Sequence, residues 1–256
     1  MDKRKPIQVG NLKIGEGMPK ICVPITGKTE EEILSQAGKI AQAGPDLVEW
    51  RADFYEDVMD YDKVKKLLVA IFDILGQIPL LFTFRTDREG GCRPISTKDY
   101  VNLNHMVSER KEAALIDVEV FMDIPKMAWL IEEIHKNGKK VIGSHHRFDL
   151  TPSRSDMITV LKTLEENGAD IVKLAVMPKS EEDVTNLIQA TSEAVSGELT
   201  RPAVTMSMGS LGVISRTTGE KFGSGITFGC VGEASAPGQI PLETLREELE
   251  KVHKSI

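Results

Sequence analysis

Short runs of apolar and β-branched residues alternate along the chain with longer amphipathic stretches of helical period, the pattern of parallel strand–helix units. The runs predict strands over residues 20–25, 46–51, 79–85, 114–119, 139–144, 170–176, 202–207 and 225–229. The intervening stretches predict helices over 29–43, 60–75, 97–110, 124–137, 153–167, 180–195 and 242–253. Thr29-Glu30-Glu31-Glu32 reads as a capping box, and Asn137-Gly138 and Asn167-Gly168 as helix stops. Segment 207–225 is glycine-rich and reads as a functional loop with little helix, and 7–14 as a hairpin across Gly10-Asn11. A βα pattern repeated about eight times fits an α/β chain closed as a (β/α)8 TIM barrel with an N-terminal β-hairpin; an open doubly wound sheet shares the local signal. No Pro/Ser-rich linker or low-complexity tract divides the chain, so a single domain over 1–256 is expected.

A barrel strand sends alternate side chains into the lumen and outward to the helices, so charges betray the inner face. Glu49 and Arg51 share parity against Val48 and Trp50, and Thr83 and Arg85 against Phe82 and Phe84. Asp117 and Glu119 oppose Ile116, Val118 and Val120; Lys173 falls between Ile171 and Ala175; Thr205 and Ser207 oppose Val204 and Met206. These groups lie toward the C-terminal strand ends, where barrel active sites form. One Lys or Glu at a strand end usually just reaches solvent. Several charges of both signs on a shared inner surface cost several kcal/mol per ion unless paired, so a converging set points to a polar ligand site. Lys173 has apolar neighbours on both sides, a setting that strips water from its amine and suits it to attack a ketone. In Ser144-His145-His146 only one ring can easily face the site, and parity with Ile142 and Ser144 selects His146.

Composition narrows the classes. The 32 Lys+Arg against 39 Asp+Glu leave a net charge of −7 and no basic stripe, which argues against a nucleic-acid partner. The longest apolar run is six residues, Leu67 to Phe72, against the roughly 20 of a spanning helix, so no membrane role is expected. Met1 to Pro6 lead into no apolar stretch, and a cytoplasmic location is expected. Cys22, Cys92 and Cys230 form no C-x-x-C pair and read as reduced thiols. Neither a P-loop nor a strand-to-helix G-x-G-x-x-G is present, so nucleotide binding gains no support. The glycines at 209–212, 223–229 and 236–238 are turn chemistry or a phosphate cradle, and Glu89-Gly90-Gly91 reads as a loop bringing a carboxylate toward the site or as a solvated turn.

In order along the chain stand Glu49-Trp50-Arg51-Ala52-Asp53, Thr83-Phe84-Arg85 with Glu89-Gly90-Gly91, Asp117-Val118-Glu119, and His146 before Phe148 and Thr151-Pro152. Lys173-Leu174-Ala175-Val176-Met177-Pro178, Thr205-Met206-Ser207-Met208, Gly212-Val213-Ile214-Ser215-Arg216, Phe222-Gly223-Ser224 and Ser235-Ala236-Pro237-Gly238-Gln239 follow. With these motifs the chain resembles the type I 3-dehydroquinate dehydratases, the dehydroquinases of the shikimate pathway, over nearly its whole length. The resemblance implies a metal-free and cofactor-free barrel, usually a homodimer, acting on 3-dehydroquinate through a lysine Schiff base.

Carried over residue by residue, the resemblance makes Lys173 the Schiff-base lysine, His146 the general base and Glu89 its assisting carboxylate. It places Arg216 on the substrate carboxylate, and Glu49, Arg51, Arg85, Ser235 and Gln239 on substrate hydroxyl and carboxylate groups, the last two on a closing lid. Asp117 is expected to orient His146 from behind. Arg147 stands where the family often has an acidic or amide residue, with His145 ahead of the base, and Ile171-Val172 lack a proline frequent there. By parity Arg147 points away from His146. Two other classes stay open: a barrel lyase or aldolase holding Mg²⁺ or Mn²⁺ on Glu49, Asp117, Glu119 and His146, and a catalytically silent barrel that serves as a binding module.

Overall fold

The computed structural model describes residues 5–232 and 234–256; Met1 to Arg4, part of the argument about a leader, lie outside the described residues. Strands β1 (Ile7–Val9) and β2 (Leu12–Ile14) form the antiparallel hairpin, Ile7 opposite Ile14. The barrel strands are β3 (Lys20–Ile25), β4 (Leu47–Arg51), β5 (Leu80–Thr83), β6 (Leu115–Glu119), β7 (Lys140–Arg147), β8 (Ile171–Val176), β9 (Ala203–Ser207) and β10 (Ile226–Phe228). All pair in parallel in the order β10-β3-β4-β5-β6-β7-β8-β9. Between β9 and β10 the ladder thins to one bridge, Ala203 to Ser224. There the Thr205 N–H donates to Ser224 Oγ at 3.0 Å, a side-chain hydroxyl standing in for a strand carbonyl. The result is the expected barrel, nearly closed.

Helices α1 (Glu30–Ala43), α2 (Tyr61–Leu75), α3 (Thr97–Ser108), α4 (Ile124–Lys136), α5 (Arg154–Glu166), α6 (Glu181–Glu193), α7 (Val213–Thr217), α8 (Gly219–Phe222) and α9 (Leu242–His253) lie between and after the strands. Among the described residues none is long and apolar enough to cross a membrane. The Thr29 hydroxyl accepts from the Glu32 N–H, but the Glu32 carboxylate accepts from the Lys28 N–H at 2.7 Å, so the capping box closes one residue early. The glycine-rich stretch after β9 carries α7 and α8, more helix than its composition suggests.

Two cores follow the parity rule. Val48, Trp50, Phe82, Phe84, Ile116, Val118, Val172 and Leu174 pack outward with the helices. Leu47, Leu81, Leu115, Ile142 and Ile171 meet inside the barrel with Ile7, Val9 and Ile14 of the hairpin. Those strand residues come before the polar inner positions, so the hairpin floors the lumen at the N-terminal end and the charges occupy the layers above it. Strand β9 departs from the expectation. Val204 and Met206 face the inner core, while Thr205 points outward and bonds Thr191 of α6, Oγ1 to Oγ1 at 2.7 Å. The threonine on the facing helix supplies a partner for a hydroxyl that would otherwise be buried unmatched.

Candidate active site

Nine of the ten site residues named from the sequence line one cavity of about 140 Å³ at the C-terminal strand ends: Glu49, Arg51, Arg85, Glu89, His146, Lys173, Arg216, Ser235 and Gln239. Phe148, Ala175, Met206, Met208 and Phe228 supply its apolar wall. The tenth, Asp117, is fully buried beneath it.

Lys173 occupies the third position of β8, one layer above Ile171, and is only 4% exposed. Its Nζ lies 3.9 Å from Glu49 Oε1, 3.8 Å from Asp117 Oδ2 and 4.3 Å from the centre of the Phe228 ring. The amine is therefore held by two carboxylates and a ring face with its end toward the cavity. The Thr83 hydroxyl fixes Glu49 Oε1 at 2.9 Å.

The base candidate depends on where β7 loses its neighbour. Strand β6 pairs with β7 only as far as Glu119 opposite Ser144, whereas β8 continues to Arg147. His146 thus stands beyond the β6 edge, and the carboxylate of Glu89 takes over there. Glu89 Oε2 accepts from the His146 backbone N–H at 3.0 Å and from its ring Nδ1 at 2.9 Å. Gly90 and Gly91 permit the turn that delivers Glu89: Gly90 has φ +83° and lies against the Phe148 ring, and a Cβ on Gly91 would collide with the Arg85 carbonyl. Burial pushes the Glu89 carboxyl up, but hydrogen bonds from His145 and His146, with the charges of His146 and Arg85, pull it down to about 2. An ionised carboxylate can only accept, so Nδ1 of His146 carries the proton and Nε2 holds a free lone pair. Burial, then the charges of Arg85 and Lys173, lower the His146 pKa to about 3 against the pull of Glu89. The imidazole is neutral at pH 7, as a general base must be.

Arg85 lies past the end of β5, because β5 pairs with β6 only through Leu81 and Phe82 and the chain then turns away. Its guanidinium meets Asp117 at 2.8 Å and Glu119 at 2.9 Å, with Ser144 Oγ at 3.0 Å and Glu89 at 3.6 Å. Burial works against these charges, yet the three carboxylates raise the Arg85 pKa well above its usual value. Burial would raise that of Asp117, but Arg85 and Lys173 hold it below the usual range. Arg51 is clamped by Asp53 through Nε and Nη2, both at 2.8 Å.

Arg216 differs from the other cations. It is 2% exposed, donates to the Pro237 carbonyl at 3.1 Å, touches Met206 Sδ at 3.5 Å and leaves Nε buried without a partner. Among the described residues no carboxylate neutralises it. Burial alone brings its pKa down to about 10. Across the cavity mouth, Ser235 N–H donates to Gln239 Oε1 at 2.9 Å, and the Gly209 N–H donates to the Pro237 carbonyl at 3.2 Å, which ties this loop to the one after β9.

A family model for Type I 3-dehydroquinase matches residues 21–256. The chain belongs to the type I 3-dehydroquinase family. It is 45% identical over 254 residues to a 3-dehydroquinate dehydratase of Clostridioides difficile, covering 99% of each chain. It is 46% identical over 248 residues to that of Listeria innocua, covering 97% of this chain and 98% of the relative. The crystal structure of the type I 3-dehydroquinate dehydratase from Clostridium difficile with covalent modified comenic acid superposes with a TM-score of 0.96 at 44% identity, over 99% of this chain and 100% of that one. The Geobacillus kaustophilus structure gives 0.95 at 38% identity, over 99% of both chains.

Within this type I dehydroquinase barrel, one assigned contact is corrected. Glu89, not Asp117, holds the ring of His146; Asp117 accepts from Arg85 and from Ser144 Oγ at 2.6 Å and faces Lys173 from below. Asp53 was given no role from the sequence, and Glu119 only one as a ligand in the alternative metal set, yet both fix the site. Asp53 joins Arg51, the Arg85 N–H and the Cys92 N–H. Glu119 accepts from Arg85 and from the N–H and O–H of Thr86, which anchors the turn that presents Glu89. The signal for both was parity, since Asp53 follows Glu49 and Arg51 at steps of two and Glu119 follows Asp117. The proposed metal set does not converge: Glu49 accepts from Thr83, Asp117 from Arg85 and Ser144, and Glu119 from Arg85 and Thr86. Among the described residues no group of three or more His, Cys, Asp or Glu is arranged to hold an ion.

Proposed function

We propose that this chain dehydrates 3-dehydroquinate to 3-dehydroshikimate, the third step of the shikimate pathway, by syn elimination through an imine on Lys173. The observation that carries the reading is a buried lysine amine sharing a small cavity with a neutral histidine and an unneutralised buried arginine. Lys173 Nζ adds to the C3 ketone and expels its oxygen as water, giving the protonated imine. That electron sink acidifies C2. His146 Nε2 takes the C2 proton, the electron pair forms the enamine, and the enamine expels the C1 hydroxyl, which leaves as water with the proton returned by His146. Water then hydrolyses the imine, restoring Lys173 and releasing product. The overall change is the loss of one water from the substrate. Glu89 keeps the tautomer of His146, while Asp117 and Glu49 hold the amine in place. Glu49, Arg51, Arg85, Ser235 and Gln239 meet the substrate's hydroxyl and carboxylate groups, with Ser235 and Gln239 on the lid.

Arg216 takes the substrate carboxylate, the anion its buried guanidinium lacks. Replacing it with alanine removes a charge-assisted contact worth about 1.5–3 kcal/mol, so KM should rise by roughly 10- to 150-fold. Steady-state kinetics decide it, and an unchanged KM places the clamp elsewhere. The same reading makes residues 1–256 one catalytic domain of a cytoplasmic homodimer that uses neither metal nor organic cofactor. Borohydride reduction of the enzyme with 3-dehydroquinate tests the reaction itself: intact mass should rise by one reduced adduct, mapped to the peptide containing Lys173. No adduct, or an adduct on another lysine, removes the proposal.

A further inference from the structure

Strand alternation puts the rings of His145 and His146 on opposite faces of β7, yet both reach the same carboxylate. Glu89 lies along the strand edge that β6 has left open, so its two oxygens fall on the two faces. Oε2 serves the backbone and ring of His146 on the lumen side. Oε1 is bonded by His145 Nδ1 at 2.8 Å and has no other hydrogen bond among the described residues. The His145 ring is itself placed, 4.7 Å from the Phe121 ring, beside an outer groove of about 510 Å³.

We propose that His145 is a positioning residue for the reaction: its Nδ1–H, held on Oε1 of Glu89, keeps the carboxylate turned so that Oε2 faces His146. The inference rests on His146 being the base. Without that donor, Oε1 is a buried acceptor with nothing to accept, and the carboxylate gains by rotating toward Arg85, 3.6 Å from Oε2. His146 Nδ1 then loses the acceptor that fixes its tautomer.

Charge acts in the same direction. The groups facing Glu89 are His145 and His146 of β7, Arg85 beyond β5, and Glu119 of β6, with Lys173 across the same cavity. Arg88, Arg147 and Asp149 line the outer groove, and the last two pair with each other at 2.9 Å. After burial, which pushes Glu89 up, the hydrogen bond from His145 is the largest influence holding it down. Removing that bond raises the Glu89 pKa. A protonated Glu89 donates to Nδ1 of His146, which moves the imidazole proton to Nε2 and blocks the base. The acid limb of turnover must therefore move to higher pH.

Two variants separate the donor from the ring. His145→Phe keeps the packing against Phe121 and removes the donor; His145→Asn removes the ring and keeps an N–H near the position of Nδ1. Dehydration of 3-dehydroquinate is followed from about pH 2 to 9, with thermal unfolding of each variant at each pH and His145→Leu in place of a His145→Phe that fails to fold. For the donorless variant, kcat should fall by about tenfold with KM within about twofold, and the acid limb should rise by about one pH unit. For His145→Asn both should stay near the parent. A donorless variant with the parent profile, or a His145→Asn as impaired as it, overturns the inference. His146→Ala run alongside separates the two levels: full activity there overturns the base assignment, whereas its loss together with an unaffected His145→Phe overturns only the role of His145.

Discussion

Lys173→Ala should show no adduct after borohydride treatment with 3-dehydroquinate and no dehydration above background. The proposed route has no electron sink without the imine, and general acid–base help alone is worth typically 10²- to 10⁴-fold, so His146 cannot compensate. Lys173→Arg is the sharper test. Arginine restores a cation beside Glu49 and Asp117, which stand 3.9 and 3.8 Å from the lysine nitrogen, but its guanidinium stays protonated and does not condense with a ketone. If Lys173 only balanced two buried carboxylates or polarised a carbonyl, Lys173→Arg would retain a measurable part of the rate. If Lys173 is the nucleophile, Lys173→Arg is as inactive as Lys173→Ala while its circular dichroism and unfolding temperature stay close to the parent's. Turnover by either variant would end the Schiff-base reading.

The arrangement that makes these variants informative was legible in part because a barrel turns a period of two into a map of inside and outside. Glu49, Arg51, Lys173 and His146 were placed in the lumen by parity alone, and the choice of His146 over His145 followed from Ile142 and Ser144 on the same face. The rule failed on β9 at Thr205, whose hydroxyl is small enough to be buried on the outer face when a partner is supplied. Thr191 on α6 supplies it to Thr205. No pattern within β9 announces a threonine on the facing helix, so that reversal belongs to tertiary structure.

Partner choice was the less legible layer. Asp117 and Glu89 are both carboxylates near a histidine, and local sequence does not say which one the ring will meet. The answer lies in strand lengths: β6 stops opposite Ser144, β7 continues, and the exposed His146 N–H draws in Glu89 from the turn after β5. Arg85, freed from its strand at the same level, takes Asp117 and Glu119 instead. The unpaired state of Arg216 is likewise a property of the fold, since the absence of a carboxylate around a guanidinium cannot be read from its neighbours in the chain.

His146→Ala should lose turnover without losing the covalent step. Lys173 can still condense with the ketone, more slowly, because imine formation needs proton transfers that water can supply in part. Removal of the C2 proton and departure of the C1 hydroxyl both need the positioned imidazole, so the rate of dehydration should drop by about 10²- to 10⁴-fold. The consequence is a shift in what accumulates. In the parent, the imine passes quickly to product; in His146→Ala it is stranded ahead of the elimination. Borohydride should therefore trap more adduct on the peptide containing Lys173, at the mass of unreacted substrate before loss of the second water, with little 3-dehydroshikimate absorbance. His145→Ala provides the contrast: that ring bonds the outer oxygen of Glu89 rather than facing the cavity, so its loss should slow turnover by about tenfold, well short of the His146→Ala defect, and strand no adduct. A His146→Ala enzyme that turns over at the parent rate while His145→Ala fails would exchange the two histidines' roles. A His146→Ala enzyme that traps no adduct would place the base before imine formation rather than after it.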